Sequence, residues 1–228
     1  MRKLTPIILG VSILILSISG CINEEKTSEQ QPPKKTKEEY DEDFLNAIYQ
    51  VVEFINESLK NASKSLINIY HAVRLNDSKG GEVFLREMTV FYRNFKSRLQ
   101  EAMFTFGEIG FGNFISEELK QSYVYINYSF SEWLNSCLIL ENVFARSFSS
   151  FNLSNLSGLI ENGTDLLIKG LYDYENFSKN FFSDNVATFF RYSKIENPLS
   201  NRNYIAEIIP DKINDFIFMQ QEILYRRL

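Results

Sequence analysis

Hydrophobic and polar residues alternate with a helical period over most of this chain, from Phe44 to the C-terminus. Apolar side chains recur in steps of three or four residues, which places them along one face of a helix. The first such stretch covers 44–75 and ends before the turn-forming sequence NDSKGGE, and the second extends from about residue 82 to Phe106. A third stretch, 119–151, has the most regular pattern. We therefore predict long amphipathic helices over these three segments.

Two more helices are predicted in the C-terminal half. One covers 156–181, where Gly163 and Gly170 share the apolar face. Because glycine has no side chain, this placement predicts that a neighbouring helix backbone approaches closely. The other covers about 204–228, with Pro210 either kinking the helix or opening its main part.

The predicted fold class is all-α. Residues 44–228 show no alternating strand pattern and no internal repeat. Short connections between long helices favour antiparallel neighbours. The sequence therefore predicts an elongated antiparallel helical bundle of about four long helices, with a fifth, C-terminal helix packed against it.

The first twenty residues have a different pattern. Arg2 and Lys3 form a short basic start, and Pro6 to Ile18 supply a mostly apolar run that changes abruptly to polar residues. This order is typical of a secretory signal peptide. A membrane-spanning helix needs roughly 20 apolar residues to cross the hydrocarbon core, and this run is shorter. We predict that residues 1–20 are an export signal.

The apolar run ends in Ile18-Ser19-Gly20-Cys21, which resembles the lipobox of prokaryotic lipoproteins. The resemblance covers only this N-terminal segment. It implies that Cys21 receives a diacylglyceryl thioether and becomes the first residue of the mature chain, so that the membrane is a partner through a lipid anchor. Two acyl chains hold a protein on a bilayer stably, where one chain does not. The alternative is an uncleaved anchor helix with an incidental cysteine, and either arrangement leaves the remaining chain at the outer face of the cytoplasmic membrane.

Residues 21–43 are predicted to form the lipidated cysteine and a disordered polar tether. The segment INEEKTSEQQPPKKTKEEYDED has almost no apolar side chains and contains a Pro-Pro pair. It cannot bury enough surface to offset the entropy lost on ordering. The predicted organisation is thus a signal peptide (1–20), a tether (21–43) and a helical bundle domain (44–228).

The charge distribution argues against nucleic acid as a partner. The whole chain carries a formal net charge of −5 at pH 7. Residues 44–228 contain 18 basic and 21 acidic side chains, so the predicted bundle is nearly neutral and shows no basic stripe. Neutralisation of phosphates dominates affinity for nucleic acids, and this domain lacks the charge for it.

The chain provides few residues for catalysis or metal binding. His71 is the only histidine, and Cys137 lies in the middle of an apolar stripe, where a thiol behaves as a small buried hydrophobe. One histidine and one free thiol are too few for the usual zinc ligand sets. The Glu-x-x-His pair of di-iron bundles is also missing, because Asn68 stands three residues before His71. We therefore predict no catalytic residue, no metal and no cofactor. The weaker alternative is a nucleophile pair formed by Cys137 and His71.

Two aromatic clusters are candidate binding surfaces. One surrounds the sequence GEIGFG at 107–112, whose glycine spacing is not that of a phosphate-binding loop, and the other lies within NFFSDNVATFFRY at 180–192. The first is interpreted as a loop between helices, with a small pocket or membrane contact as the alternative. The second is interpreted as core packing, with an exposed binding patch as the alternative. The aromatic residues are Phe104, Phe106, Phe111 and Phe114 in the first cluster, and Phe181, Phe182, Phe189, Phe190 and Tyr192 in the second.

The acceptor motif for N-glycosylation, Asn-x-Ser/Thr, occurs eight times. Such an excess is typical of a glycosylated exterior domain. Together with the lipobox-like motif, it favours an archaeal cell surface. The alternative is an Asn- and Ser-rich composition that produces the motif without any modification. The candidate acceptors are Asn56, Asn61, Asn76, Asn127, Asn152, Asn155, Asn162 and Asn176.

These features together predict a non-enzymatic module: a lipid-anchored helical domain that binds an envelope protein or ligand, or that supports envelope structure. No motif identifies that partner. The alternative is a small-molecule receptor, or a solute-binding or sensor component, with an aromatic pocket. An enzyme would need carboxylates that converge in a cleft.

We predict that Cys21→Ser leaves the precursor unlipidated and uncleaved, because a hydroxyl is a much weaker nucleophile than a thiol for the transfer of the lipid. Mass spectrometry of the protein extracted from membranes measures both effects as the intact mass. A Cys21→Ser chain that still begins at residue 21 would show that this motif is not the processing signal.

Overall fold

A computed structural model describes residues 35–110, 116–193 and 209–225, and regular secondary structure within these ranges is helical. The prediction of an all-α protein is therefore confirmed for this part of the chain. Cys21 and the predicted signal peptide lie outside it. The helices are α1 (Lys37–Leu75), α2 (Ser78–Ile109), α3 (Glu117–Phe144), α4 (Leu153–Phe181), α5 (Asp184–Ser193) and α6 (Ile209–Tyr225), with a 3-10 turn at Phe148–Ser150 between α3 and α4.

Helix α1 begins at Lys37, so the predicted tether boundary at residue 43 is wrong by almost two turns. Thr36 and Glu39 form a capping box, in which the Thr36 N–H donates to Glu39 Oε2 at 2.6 Å and the Glu39 N–H donates to Thr36 Oγ1 at 3.3 Å. This exchange satisfies two N–H groups that a helix start leaves without intrahelical partners. Tyr40 then packs against the core. A polar composition alone had suggested disorder for residues that a cap holds in a helix.

A turn of two residues joins α1 to α2 and reverses the chain. Asn76 adopts the left-handed conformation, with φ of 52°, and its N–H donates to carbonyls of the last turn of α1. Asparagine tolerates this conformation better than most residues with a Cβ. The side chain of Asp77 then accepts a hydrogen bond from the Gly80 N–H at 3.0 Å and caps α2.

Aromatic contacts in the shared hydrophobic core fix the directions of the helices. Phe106 packs on Tyr123 with ring centroids 5.8 Å apart, and Tyr92 packs on Phe144 at 5.7 Å. Helices α2 and α3 therefore run in opposite directions. Phe44 near the start of α1 contacts Phe106 near the end of α2 at 5.3 Å, which shows the same for α1 and α2.

The predicted close approach of a neighbouring helix backbone is confirmed at Gly170, whereas at Gly163 a side chain fills the space; the neighbour at both positions is α3. A Cβ on Gly170 would lie 2.5 Å from the Trp133 ring and 2.9 Å from the carbonyl oxygen of Ser129. A Cβ on Gly163 would lie 2.6 Å from Leu140 Cγ. Separations under 3 Å are too short for a carbon contact, so both positions need glycine if α3 and α4 are to stay this close.

Two buried hydrogen bonds cross the same interface. Trp133 Nε1–H donates to the carbonyl of Leu167 at 3.1 Å, and Ser136 Oγ–H donates to the carbonyl of Gly163 at 2.6 Å. Both donors are fully buried. Each bond satisfies a polar group that would be costly to bury without a partner, by roughly 1–3 kcal/mol. The bonds therefore fix the axial position of α4 against α3.

Helix α3 ends at Phe144, whereas its apolar pattern predicted a helix to residue 151. The apolar residues beyond Phe144 instead belong to the connection. The Phe148 ring covers Gly81 of α2, the Phe148 N–H donates to Glu82 Oε1 at 2.6 Å, and Phe151 stacks on Phe144 at 6.0 Å. The apolar residues after Phe144 thus keep a helical spacing in the sequence, although they lie in the connection between α3 and α4.

The C-terminal part also differs from the predicted boundaries. Helix α5 was not predicted as a separate element, and Asn185 at its start donates to Glu118 Oε1 of α3 at 2.5 Å. Helix α6 begins at Ile209, with Pro210 in its first turn, where a missing N–H costs nothing. Pro210 therefore opens this helix and does not kink it. Residues 204–208 and 226–228 lie outside the described residues, and α6 packs against α1 and α4.

We predict that Gly170→Leu destabilises the domain by about 1–3 kcal/mol, because the new side chain overpacks the contact with Trp133. The measurement is the midpoint of urea unfolding, monitored by circular dichroism. Gly158→Leu is the matched control, since a Cβ at Gly158 meets no atom within 4 Å. That control should be neutral or slightly stabilising, because leucine favours a helix more than glycine does. Equal unfolding midpoints for the two variants would contradict the assigned contact.

A candidate binding groove between the first two helices

An open groove lies between α1 and α2, with a cavity volume of about 800 Å³. This volume is within the range of small-molecule sites in proteins. Its apolar surface comes mainly from Phe54, Ala62, Phe84, Val90 and Phe91, so an apolar body can be buried in it. The remaining lining residues are Ser58, Asn61, Lys64, Ser65, Asn68, Arg86, Glu87 and Asn94.

The aromatic side of the groove is held in place by ring contacts. Phe54 stacks on Phe91 with centroids 6.1 Å apart and planes at 14°, and on Phe95 at 5.6 Å. Phe91 also contacts Phe216 of α6 at 5.6 Å. Such contacts fix ring orientation. The aromatic surface is therefore already formed in the free domain.

The groove also has polar lining residues. Ser65 is buried and its hydroxyl donates to Glu87 across the two helices, whereas Asn61 and Asn94 are exposed. Lys64 and Arg86 are exposed cations at the rim, and Glu87 is an exposed anion. Amides and hydroxyls can orient a ligand by hydrogen bonds while the rings bury its apolar part.

The sequence forms this groove because two rows of residues run side by side along α1. One row, which includes Ile55, Leu59 and Leu66, is apolar and buried in the core. The adjacent row, at positions 54, 58, 61, 65 and 68, changes from phenylalanine to small polar residues. Residues three and four apart share a helix face. Small side chains on this row leave space beside α2, and that space is the groove.

The aromatic clusters predicted from the sequence do not form this groove. In the first cluster, Phe106 belongs to the core and Phe104 is 70% exposed beside a shallower polar depression of about 590 Å³. In the second, Phe181 and Phe182 are buried. Phe111 and Phe114, and the side chains of Phe189, Phe190 and Tyr192, lie outside what the structure describes. Where the clusters are described, packing explains them, apart from Phe104.

Cys137 is fully buried, as its place on an apolar stripe predicted. Burial raises the pKa of the thiol well above its usual range, and the nearby Lys96 only partly opposes this. A thiol held in its neutral form is a poor nucleophile. His71 is exposed on α1, where its ring packs edge-on against Tyr70 at 5.5 Å.

Charged side chains near Cys137 also join helices α2 and α3. Glu141 of α3 accepts hydrogen bonds from Arg93 at 3.0 Å and from Lys96, both on α2. The hydrogen bond from Lys96, more than any other contact, lowers the pKa of Glu141. The cluster is a cross-helix ion pair with both cations satisfied by one carboxylate. It stabilises the packing of α2 on α3 to the modest extent typical of such pairs near the surface.

The eight candidate glycosylation motifs occupy different environments. Asn76 and Asn152 lie in connections at helix ends and are exposed. Within helices, Asn61, Asn155 and Asn162 are exposed, whereas Asn127 and Asn176 are partly buried. Asn56 lies on α1, and its side chain is outside the described atoms. Asn61 also lines the groove, so a glycan there would occupy the space available to a ligand.

Within residues 35–110, 116–193 and 209–225, no cluster of three or more His, Cys, Asp or Glu side chains is placed to hold a metal ion. Across the same ranges, no helix combines the length and the apolar content needed to cross a membrane. Comparison of the chain with protein families, with curated proteins and with solved structures finds no match.

Proposed function

We propose that this chain is a lipid-anchored helical module of a prokaryotic, archaeal cell surface, with a non-enzymatic role in binding an envelope component or in envelope structure. The observation that carries the proposal is the N-terminal order of residues: an apolar run, the sequence Ile18-Ser19-Gly20-Cys21, and then a polar segment. Cys21 attaches the module to the outer face of the cytoplasmic membrane through its lipid. Nucleic acid is not a partner.

The helical domain supports this proposal by the way in which its helices pack. In the proposed arrangement, α1 to α4 form an antiparallel bundle and α6 is the fifth, C-terminal helix, packed between α1 and α4. Helix α1 alone has 39 residues, or about 58 Å at 1.5 Å per residue. Such a domain presents long lateral surfaces, and the groove between α1 and α2 is one of them. Lateral surfaces of this kind suit recognition of a partner in a crowded envelope.

We predict that this module contacts an envelope component through its outer faces. A photo-crosslinking amino acid is placed in intact cells either at Val90 in the groove or at Leu138 on α3, which are 45% and 47% exposed. The expected result is a recurrent adduct of defined mass that excess purified domain removes by competition. An adduct from position 90 but not from 138 would assign binding to the groove. If neither position gives a recurrent, competed adduct, a binding role at these faces is wrong.

The groove favours a second candidate function, a small-molecule receptor or a solute-binding or sensor component. Three phenylalanine rings line the groove, together with amide and hydroxyl side chains. This combination suits a ligand with an apolar body and a few polar groups. The site differs from the aromatic pocket that the sequence predicted, since it lies along α1 and α2 and includes neither of the predicted clusters.

For this second function we predict thermal stabilisation by a metabolite or lipid. A ligand at a hundred times its dissociation constant adds about 2.7 kcal/mol, which corresponds to a rise in Tm of roughly 5–10 °C for a domain of this size. Val90→Asp should abolish the shift, because it places a charge on the apolar side of the groove. Leu138→Asp, at a position of matched exposure, should retain it. A shift that survives Val90→Asp would locate the ligand elsewhere, and a broad library without any shift would contradict a receptor role.

A further inference from the structure

The glycosylation motif in the α1–α2 turn, at residues 76–78, is more exposed than the other motifs that the structure describes. Six of the eight motifs have all three residues within the described part of the structure, and among these six the one at 76–78 is exposed throughout. Asn76, Asp77 and Ser78 all face solvent. An enzyme that reads the asparagine together with the hydroxyl two residues later can reach both groups here.

The other five described motifs each place a residue in the interior. The motif at 162–164 is the clearest case, because Thr164 is 1% exposed and its hydroxyl donates to the carbonyl of Ile160 at 2.7 Å. In the remaining four, the buried residues are Ala62, Ser129, Leu156 and Phe177, each 5% exposed or less. Drawing any of these motifs into an active site would remove core residues from the fold and break intrahelical hydrogen bonds.

Opening the α1–α2 turn requires much less free energy than unfolding any of these five motifs. The local hydrogen bonds are those from Asn76 N–H to Val73 O at 3.3 Å, from Asp77 N–H to Ala72 O at 2.9 Å, and from Gly80 N–H to Asp77 Oδ1 at 3.0 Å. No side chain of the turn belongs to the core. Local openings of this size are far less costly than partial unfolding of a packed helix.

We propose that Asn76 is the N-glycan acceptor of the folded domain, and that the five motifs with a buried residue are not modified. The donor class is an oligosaccharide linked to a polyprenyl phosphate or diphosphate. The Asn76 Nδ2 attacks C1 of the first sugar and loses one proton, an N–C bond forms, and the C1–O bond to the lipid phosphate breaks. The lipid phosphate or diphosphate leaves with the bonding electrons.

This inference rests on the proposed exterior location, because donors of this class act across the membrane from the cytosol. It also has a consequence for the groove. Asn76 lies at the end of α1 opposite the capped start at Thr36 and is not among the residues that line the groove. A glycan on Asn61, by contrast, would fill it.

The test is glycopeptide mapping of the full-length protein extracted from native membranes, with the Cys21 peptide measured in the same digest. We expect a glycan mass on the peptide that contains Asn76 and unmodified peptides for Asn61, Asn127, Asn155, Asn162 and Asn176. Ser78→Ala should remove the glycan completely, because the motif loses its hydroxyl. Ser78→Thr should keep the glycan, because threonine supplies a hydroxyl at the same position. Ser157→Ala, an exposed serine in the Asn155 motif, is the matched control and should leave the pattern unchanged.

Three results would overturn the inference: an unmodified Asn76 in the native chain, a glycan on Asn76 that persists in Ser78→Ala, or a glycan on any of the five motifs with a buried residue. The Cys21 peptide separates this inference from the proposed function. A lipidated Cys21 with a bare Asn76 refutes the glycan site and leaves the anchor supported. A glycan on Asn76 with an unlipidated Cys21 refutes the anchor and leaves the glycan site supported.

Discussion

The position of one indole ring constrains most of the helical core. Trp133 contacts Phe95 of α2 at 6.1 Å, Phe130 of its own helix at 5.9 Å and Tyr174 of α4 at 5.7 Å. The ring fits there because Gly170 has no side chain, and its N–H is satisfied by a carbonyl of α4. Helices α2, α3 and α4 therefore meet at Trp133, whose ring has space beside Gly170 and whose N–H has a hydrogen-bond acceptor. Any change in the spacing of α3 and α4 would disturb the aromatic contacts on α2 as well.

The α1–α2 pair is built on the opposite principle. Glycines let α3 and α4 approach closely, whereas α1 and α2 leave a lateral opening, since serine and asparagine stand on one row of α1. The rings of Phe54 and Phe91, which line this opening, stack on each other. The α3–α4 pair is thus closely packed at two glycines, and the α1–α2 pair retains a concave surface.

The sequence predicted the class of the fold well and the site poorly, for different physical reasons. Helical periodicity is local, so five helices and the contact at Gly163 and Gly170 could be inferred from the pattern alone. Boundaries depended on contacts that the period does not report: Phe148 continues the apolar rhythm of α3 but packs across the chain on Gly81. The start of α1 had a readable signal in Thr36-x-x-Glu39. The groove had none, since its lining residues become neighbours only through the register in which α1 and α2 pair.

The geometry of α4 also affects the chemical ageing of the protein. Asn162-Gly163 is the dipeptide type most prone to deamidation, because the glycine nitrogen can attack the asparagine side chain and close a succinimide ring. In α4 that nitrogen is held in helical geometry, and the carbonyl of Gly163 is fixed by Ser136 at 2.6 Å. Ring closure would require the helix to unwind beside its contact with Leu140 of α3. The folded chain thus protects a labile bond, and conversion of Asn162 to aspartate or isoaspartate would record how often this part of α4 has opened.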